Sequence, residues 1–65
     1  MKVLVNNEPR EIAGPSLAEA LDELGYAGAV IATAVNGDFA PVRSRPTLML
    51  REGDRLELLA PMRGG

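Results

Sequence analysis

The chain has 65 residues, room for one small domain and not for two. It holds no cysteine and no histidine, which excludes disulfide staples, the usual zinc sites and Cys/His nucleophiles. Lys and Arg number 7 against 9 Asp and Glu, a net charge of -2, far from the basic stripe a nucleic-acid binder carries. Apolar residues make up 46% of the chain, enough for a thin core and too many for a disordered tail. The longest nearly apolar run, Ala27 to Val35, falls well short of the ~20 residues of a membrane span. No basic stretch followed by an apolar run opens the chain, so no secretion signal is expected. The expectation is a soluble cytoplasmic mini-domain with neither nucleic acid nor membrane as a partner.

Lys2 to Asn6 is apolar and β-branched and runs into the turn-forming Asn6-Asn7. Arg10 to Ala13 alternates as a short returning strand, and Pro9, which cannot donate to a ladder, assigns it to a sheet edge. Ser16 and Glu19 then form the reciprocal pair of a capping box. Leu17, Ala20, Leu21 and Leu24 share one helical face, and Gly25 supplies the left-handed residue that closes a helix, so Leu17 to Leu24 is a two-turn amphipathic helix. A third strand spans Ala29 to Asn36. Asn36-Gly37 is a strong hairpin signal because both positions tolerate positive φ, and Asp38 to Ala40 forms a short fourth strand. Pro41 to Thr47 reads as irregular, Leu48 to Leu50 as a turn or an extended piece, and Glu52-Gly53-Asp54 as a tight turn. The last strand is Arg55 to Ala60, and Pro61 marks where the chain leaves the sheet.

A hairpin, a helix and further strands make an α+β layer, one mixed sheet with the helix on one face. The expected core is Val3, Val5, Ile12, Leu17, Leu21, Leu24, Ile31, Leu56 and Leu58. The opposite sheet face carries Leu4 and Leu59, with Phe39. That arrangement is the ubiquitin-like β-grasp fold, here over residues 1–61 with a flexible tail at 62–65.

Little in this chain suggests catalysis of its own. Its carboxylates fall on turns and polar faces and read as solvated surface. There is no phosphate loop, no His for a Ser/His/Asp set, and little core volume for a concave pocket of ~300 Å³. The informative stretch is Ala60-Pro61-Met62-Arg63-Gly64-Gly65. At ~7% glycine, a closing pair arises by chance in about one chain in 200. Gly64 and Gly65 have no side chains and can thread a narrow tunnel in an activating enzyme, and Met62 to Gly65 reach ~13 Å when extended. The reactive group would be the Gly65 carboxylate. Transfer of AMP from ATP converts it to a mixed anhydride open to a sulfur nucleophile, and the absence of cysteine requires that the sulfur come from a partner. The product is a thiocarboxylate.

With these residues in view the chain resembles the ThiS family, bacterial sulfur carriers of thiamin biosynthesis. The resemblance spans essentially the whole chain: Met-Lys-Val-Leu-Val-Asn at the start, Ser16-Leu17-Ala18-Glu19 through Leu24, Val35-Asn36-Gly37, the run Leu50 to Glu57, and Gly64-Gly65. It departs at Ala40-Pro41-Val42-Arg43, where many relatives have Val-Pro-Arg, and no role is carried onto Pro41 to Thr47. The resemblance implies an adenylating enzyme resembling the ubiquitin activators, using ATP and magnesium at Gly65. It further implies a cysteine-desulfurase relay as sulfur source and thiazole synthase as acceptor. The chain itself would hold no cofactor and no metal, and would be a co-substrate rather than an enzyme.

Leu4, Phe39 and Leu59 form the expected partner surface, since neighbouring exposed apolar groups commonly mark docking. Arg63 would meet a carboxylate at the tunnel mouth, and flexible, polarizable Met62 would suit more than one groove. Three other readings share the architecture: the small subunit of molybdopterin synthase, a protein modifier forming isopeptide bonds, and a non-covalent β-grasp adaptor with an inert tail. The molybdopterin subunit usually runs longer and often carries Pro-Pro where this chain has Ala60-Pro61.

Overall fold

Two asparagine turns organise the sheet. Asn6 and Asn7 sit at φ 49° and 70°, and Asn36 and Gly37 at 52° and 87°, so each two-residue loop has the positive-φ pair whose twist matches antiparallel strands. The structure, a computed structural model, describes residues 1–60. The first turn joins β1 (Lys2–Val5) to β2 (Glu8–Glu11), and the second joins β3 (Ala32–Val35) to β4 (Asp38–Ala40). Between the hairpins lies α1 (Leu17–Glu23), and after them a 3-10 helix (Val42–Ser44) and β5 (Arg55–Leu59). The sheet order is β2-β1-β5-β3-β4, with β5 parallel to β1 and antiparallel to β3. This is the β-grasp arrangement, a mixed five-stranded sheet with one helix.

The asparagines also reach β5. Asn36 Oδ1 accepts the Arg55 N–H at 2.9 Å, while Asn6 Oδ1 accepts the Leu58 N–H at 2.9 Å. Asn6 Nδ2 returns a bond to the Leu58 carbonyl at 3.2 Å. The two turns thus hold the late strand as well as their own hairpins.

Several boundaries differ from the sequence expectation. The second strand begins at Glu8 and includes Pro9, paired opposite Leu4; the edge position tolerates the missing donor. The third strand begins at Ala32 rather than Ala29. Gly28 at φ 76° and a turn bond from the Ala29 N–H to the Tyr26 carbonyl hold the preceding residues out of the ladder. The Ile31 carbonyl accepts from Arg45 Nη2 at 2.7 Å instead of from a strand. The last strand ends at Leu59, one residue early.

Every donor at the start of α1 has a partner. The Glu19 N–H donates to Ser16 Oγ and the Ser16 N–H to Glu19 Oε1, the expected capping box. The Leu17 N–H reaches the Leu48 carbonyl at 2.8 Å and the Ala18 N–H the Arg45 carbonyl at 3.0 Å. The loop to which the sequence assigned no role therefore supplies acceptors for the helix N-terminus, where unpaired donors are costly. Arg45 ties that loop to β3 through Ile31 and, at 3.3 Å, Thr33 Oγ1, whose own hydroxyl donates to the Ala40 carbonyl at 2.7 Å.

The core lies between α1 and the inner sheet face, and Val3, Leu17 and Leu56 are at or below 1% exposure. Ala20, Ala40 and Leu50 join the predicted residues, whereas Leu24, at the helix cap, is only partly buried. Leu50 enters because its N–H bonds to the Pro15 carbonyl, drawing residues 48–50 along the helix entry as an extended piece.

Not all carboxylates are merely solvated. Glu52 accepts the Lys2 N–H, Asp54 accepts the Arg51 N–H and the Asn36 amide, and Glu23 accepts the Ala13 and Gly14 N–H groups at 2.8 Å each. Those two bonds hold the Glu23 carboxyl below its ordinary value of 4.5. A depressed carboxylate stabilises the fold fully above the unfolded range and loses that contribution as pH falls through the folded value.

Two expectations follow from this packing. Leu56→Ala should destabilise the chain by about 2–5 kcal/mol in urea unfolding, as a buried leucine truncated in a thin core. Glu23→Gln should lower the melting temperature at neutral pH, and the gap from the parent should close as the pH drops below the carboxylate range. A gap constant with pH would show that the charge contributes nothing.

Candidate functional site

Strand alternation sends one set of side chains away from the helix. On β5, Leu56 and Leu58 point into the core and Arg55, Glu57 and Leu59 point out. The register then aligns Phe39, Ala34 and Glu57 across β4, β3 and β5, with Ala32 beside Leu59 one step along. Phe39 and Leu59 are 71% and 72% exposed and lie close together on this face.

These residues line a depression of about 300 Å³ with Asn6, Ala32, Ala34 and Glu57. A second depression, about 310 Å³, is lined by Val30, Ile31, Ala32, Leu59 and Ala60. Sharing Ala32 and Leu59, the two form one apolar trough running from Phe39 to Ala60, the last described residue. Volumes of this size exceed the sequence expectation, but both spaces are open surface troughs rather than enclosed cavities.

A larger depression of about 420 Å³ lies between Phe39, Met49, Arg51 and Asp54. Two of its polar side chains are engaged with each other, since Asp54 accepts from the Asn36 amide and also from the Arg51 N–H within the turn. Among the described residues no group of three or more Asp or Glu side chains could hold a metal ion. No helix among them is long and apolar enough to cross a membrane.

Of the residues expected at a partner surface, the fold brings Phe39 and Leu59 to one trough. Leu4 is half-buried, in a row with Pro9 and Arg55, and does not line it. Ala32, Ala34 and Val30 also belong to the trough, beyond the residues the sequence points to. The alternation of β3 was signal enough for the two alanines. The sequence pattern places Val30 within a strand, whereas the turn at Gly28 keeps it out of the ladder and leaves it exposed. Met62, Arg63, Gly64 and Gly65 lie outside the described residues, as does the domain boundary at Pro61.

Comparison with known proteins bears on this arrangement. The model of the ThiS family matches residues 3–65. The sulfur carrier protein ThiS of Thermus thermophilus is 36% identical over 63 residues, covering 97% of this chain and 98% of that one. The crystal structure of the thiamine biosynthesis protein (ThiS) from Geobacter metallireducens superposes with a TM-score of 0.84 at 28% identity, each chain covered in full. A solution structure of a thiamine biosynthesis protein from the same organism gives 0.77 at 26% identity, covering all of this chain and 88% of the other.

Proposed function

The chain belongs to the ThiS family, sulfur carriers of thiamin biosynthesis and not catalysts, and we propose that Gly65 is the residue it loads. The family match running through residue 65, with Gly64-Gly65 at its end, is the observation that carries this reading. The described body supports it by what it lacks and what it presents. It has no cysteine or histidine to do chemistry, and among the described residues its apolar surface reaches as far as Ala60.

The Gly65 carboxylate attacks the α-phosphorus of ATP on an adenylating enzyme that resembles the ubiquitin activators and uses magnesium. Pyrophosphate leaves and an acyl-adenylate forms. A sulfur nucleophile then attacks the acyl carbon and expels AMP. Where that nucleophile is the outer sulfur of a persulfide on a cysteine-desulfurase relay, a thiol cleaves the resulting S–S bond and frees the thiocarboxylate. Thiazole synthase, in the cytoplasm, takes the sulfur, and Gly65 returns as a carboxylate. The chain brings no cofactor of its own to this cycle. Gly64 gives passage through the activating site, Arg63 meets a carboxylate at its mouth, and Met62 packs in its groove.

The two trough residues with the greatest reach serve docking. Phe39 and Leu59 present large apolar area that the fold leaves open, and burying it against a partner is favourable at about 25 cal/mol per Å².

Intact-protein mass spectrometry after incubation with the activating enzyme, ATP and a sulfur source should show one oxygen replaced by one sulfur. Deleting Gly64-Gly65 should abolish that change without moving the unfolding midpoint, because the core of the described residues draws on nothing beyond Leu58. Full complementation of a thiamin auxotroph by the truncated chain would overturn the reading. The change Phe39→Ser with Leu59→Ser should alter stability by no more than about 0.5 kcal/mol per site, as exposed positions do. Binding to the activating enzyme, read by calorimetry, should weaken at least tenfold, since hot-spot truncations commonly cost more than 1.4 kcal/mol.

A further inference from the structure

The last stretch of β5 is held differently from the rest. On one edge β5 pairs with β3 as far as Leu59, opposite Ala32. On the other edge its pairing with β1 stops at Leu56, opposite Val5, because β1 turns away at Asn6-Asn7. Leu58 would then have no strand partner on that side. The Asn6 side-chain amide takes the place of the missing strand, accepting from the Leu58 N–H at 2.9 Å and donating to its carbonyl at 3.2 Å. The contact spans 52 positions of sequence and lies two residues before Ala60, where the described chain ends. Asn6 also lines the trough that holds Phe39 and Leu59.

We propose that Asn6 is a positioning residue for the loading of the tail. Its amide extends the ladder by one residue pair, so β5 stays in register up to the point where the tail departs. The positions of Leu59 and Ala60, the last residues before the tail, are thereby fixed relative to the docking face. A partner that grips Phe39 and Leu59 then finds the root of the tail already placed, and positioning of this kind acts on the reaction step rather than on affinity. The inference rests on the reading of Gly65 as the loaded group.

Asn7 provides the matched control. It shares the turn and the left-handed backbone, at φ 70°, and no hydrogen bond from its side chain is formed among the described residues. Asn6→Gly and Asn7→Gly therefore both relieve the positive φ, and only the first removes the amide. Both variants and the parent are assayed as substrates of the activating enzyme with ATP and magnesium, at a temperature where circular dichroism shows all three folded. Asn6→Gly should lower kcat about tenfold with little change in KM, and amide hydrogen exchange at Leu58 should speed up. Asn7→Gly should do neither. Asn6→Asp keeps the acceptor for the Leu58 N–H and loses the donor, so its kcat should fall between the two.

Equal kcat for Asn6→Gly and Asn7→Gly, with the parent loaded normally, would overturn this inference alone. A rise in KM at constant kcat would also overturn it, by assigning Asn6 a contact role instead. Failure of the parent to form an adenylate would overturn the reading of Gly65 and this inference with it.

Discussion

The fold depends on finding a central place for β5, the strand that arrives last. Without it, β1 with β2 and β3 with β4 are two separate hairpins, each marginal in water. β5 enters between them, parallel to one and antiparallel to the other, and carries Leu56 and Leu58 into the core. Its backbone is satisfied partly by ladder and partly by side chains, with Asn36 at Arg55 and Asn6 at Leu58. A strand closed late over fifty residues carries the loop-closure cost of long-range pairing, and specific side-chain bonds of this kind offset some of it.

The helix is the second dependent element. At seven residues it is below the length that stands alone in water, so its leucines and its capped N-terminus decide whether it forms. Ser16 and Glu19 satisfy each other locally, but the donors of Leu17 and Ala18 are answered from the loop after β4. That loop is pinned in turn by Arg45 against Ile31 and Thr33. Helix, loop and β3 thus share one hydrogen-bonded assembly.

Part of the trough was legible in the chain, since Phe39 and Leu59 fall on the outer face by strand parity alone. Leu4 has the same parity, yet its neighbours across the sheet are Pro9 and Arg55, so it lies apart from the trough. Parity assigns a face; it does not say which residues on that face meet, because that depends on strand order. Val30 departs from its expected strand for a related reason. Its composition fits a strand, and only the turn at Gly28 removes it from the ladder.

Local residue chemistry alone determined the two asparagine turns, the capping box and the edge position of the proline-bearing strand. Each of these is decided within a few residues, by φ preference, by a missing donor or by a side chain bonding its own backbone. The tertiary structure alone decided that Asn6 would serve Leu58, that the loop at 41–48 would cap the helix, and that Glu23 would gather the Ala13 and Gly14 amides. Those pairings join groups far apart in the chain, or on separate elements. No local preference encodes them; they exist because burying Val3, Leu17 and Leu56 together fixes where every other backbone donor must find an acceptor.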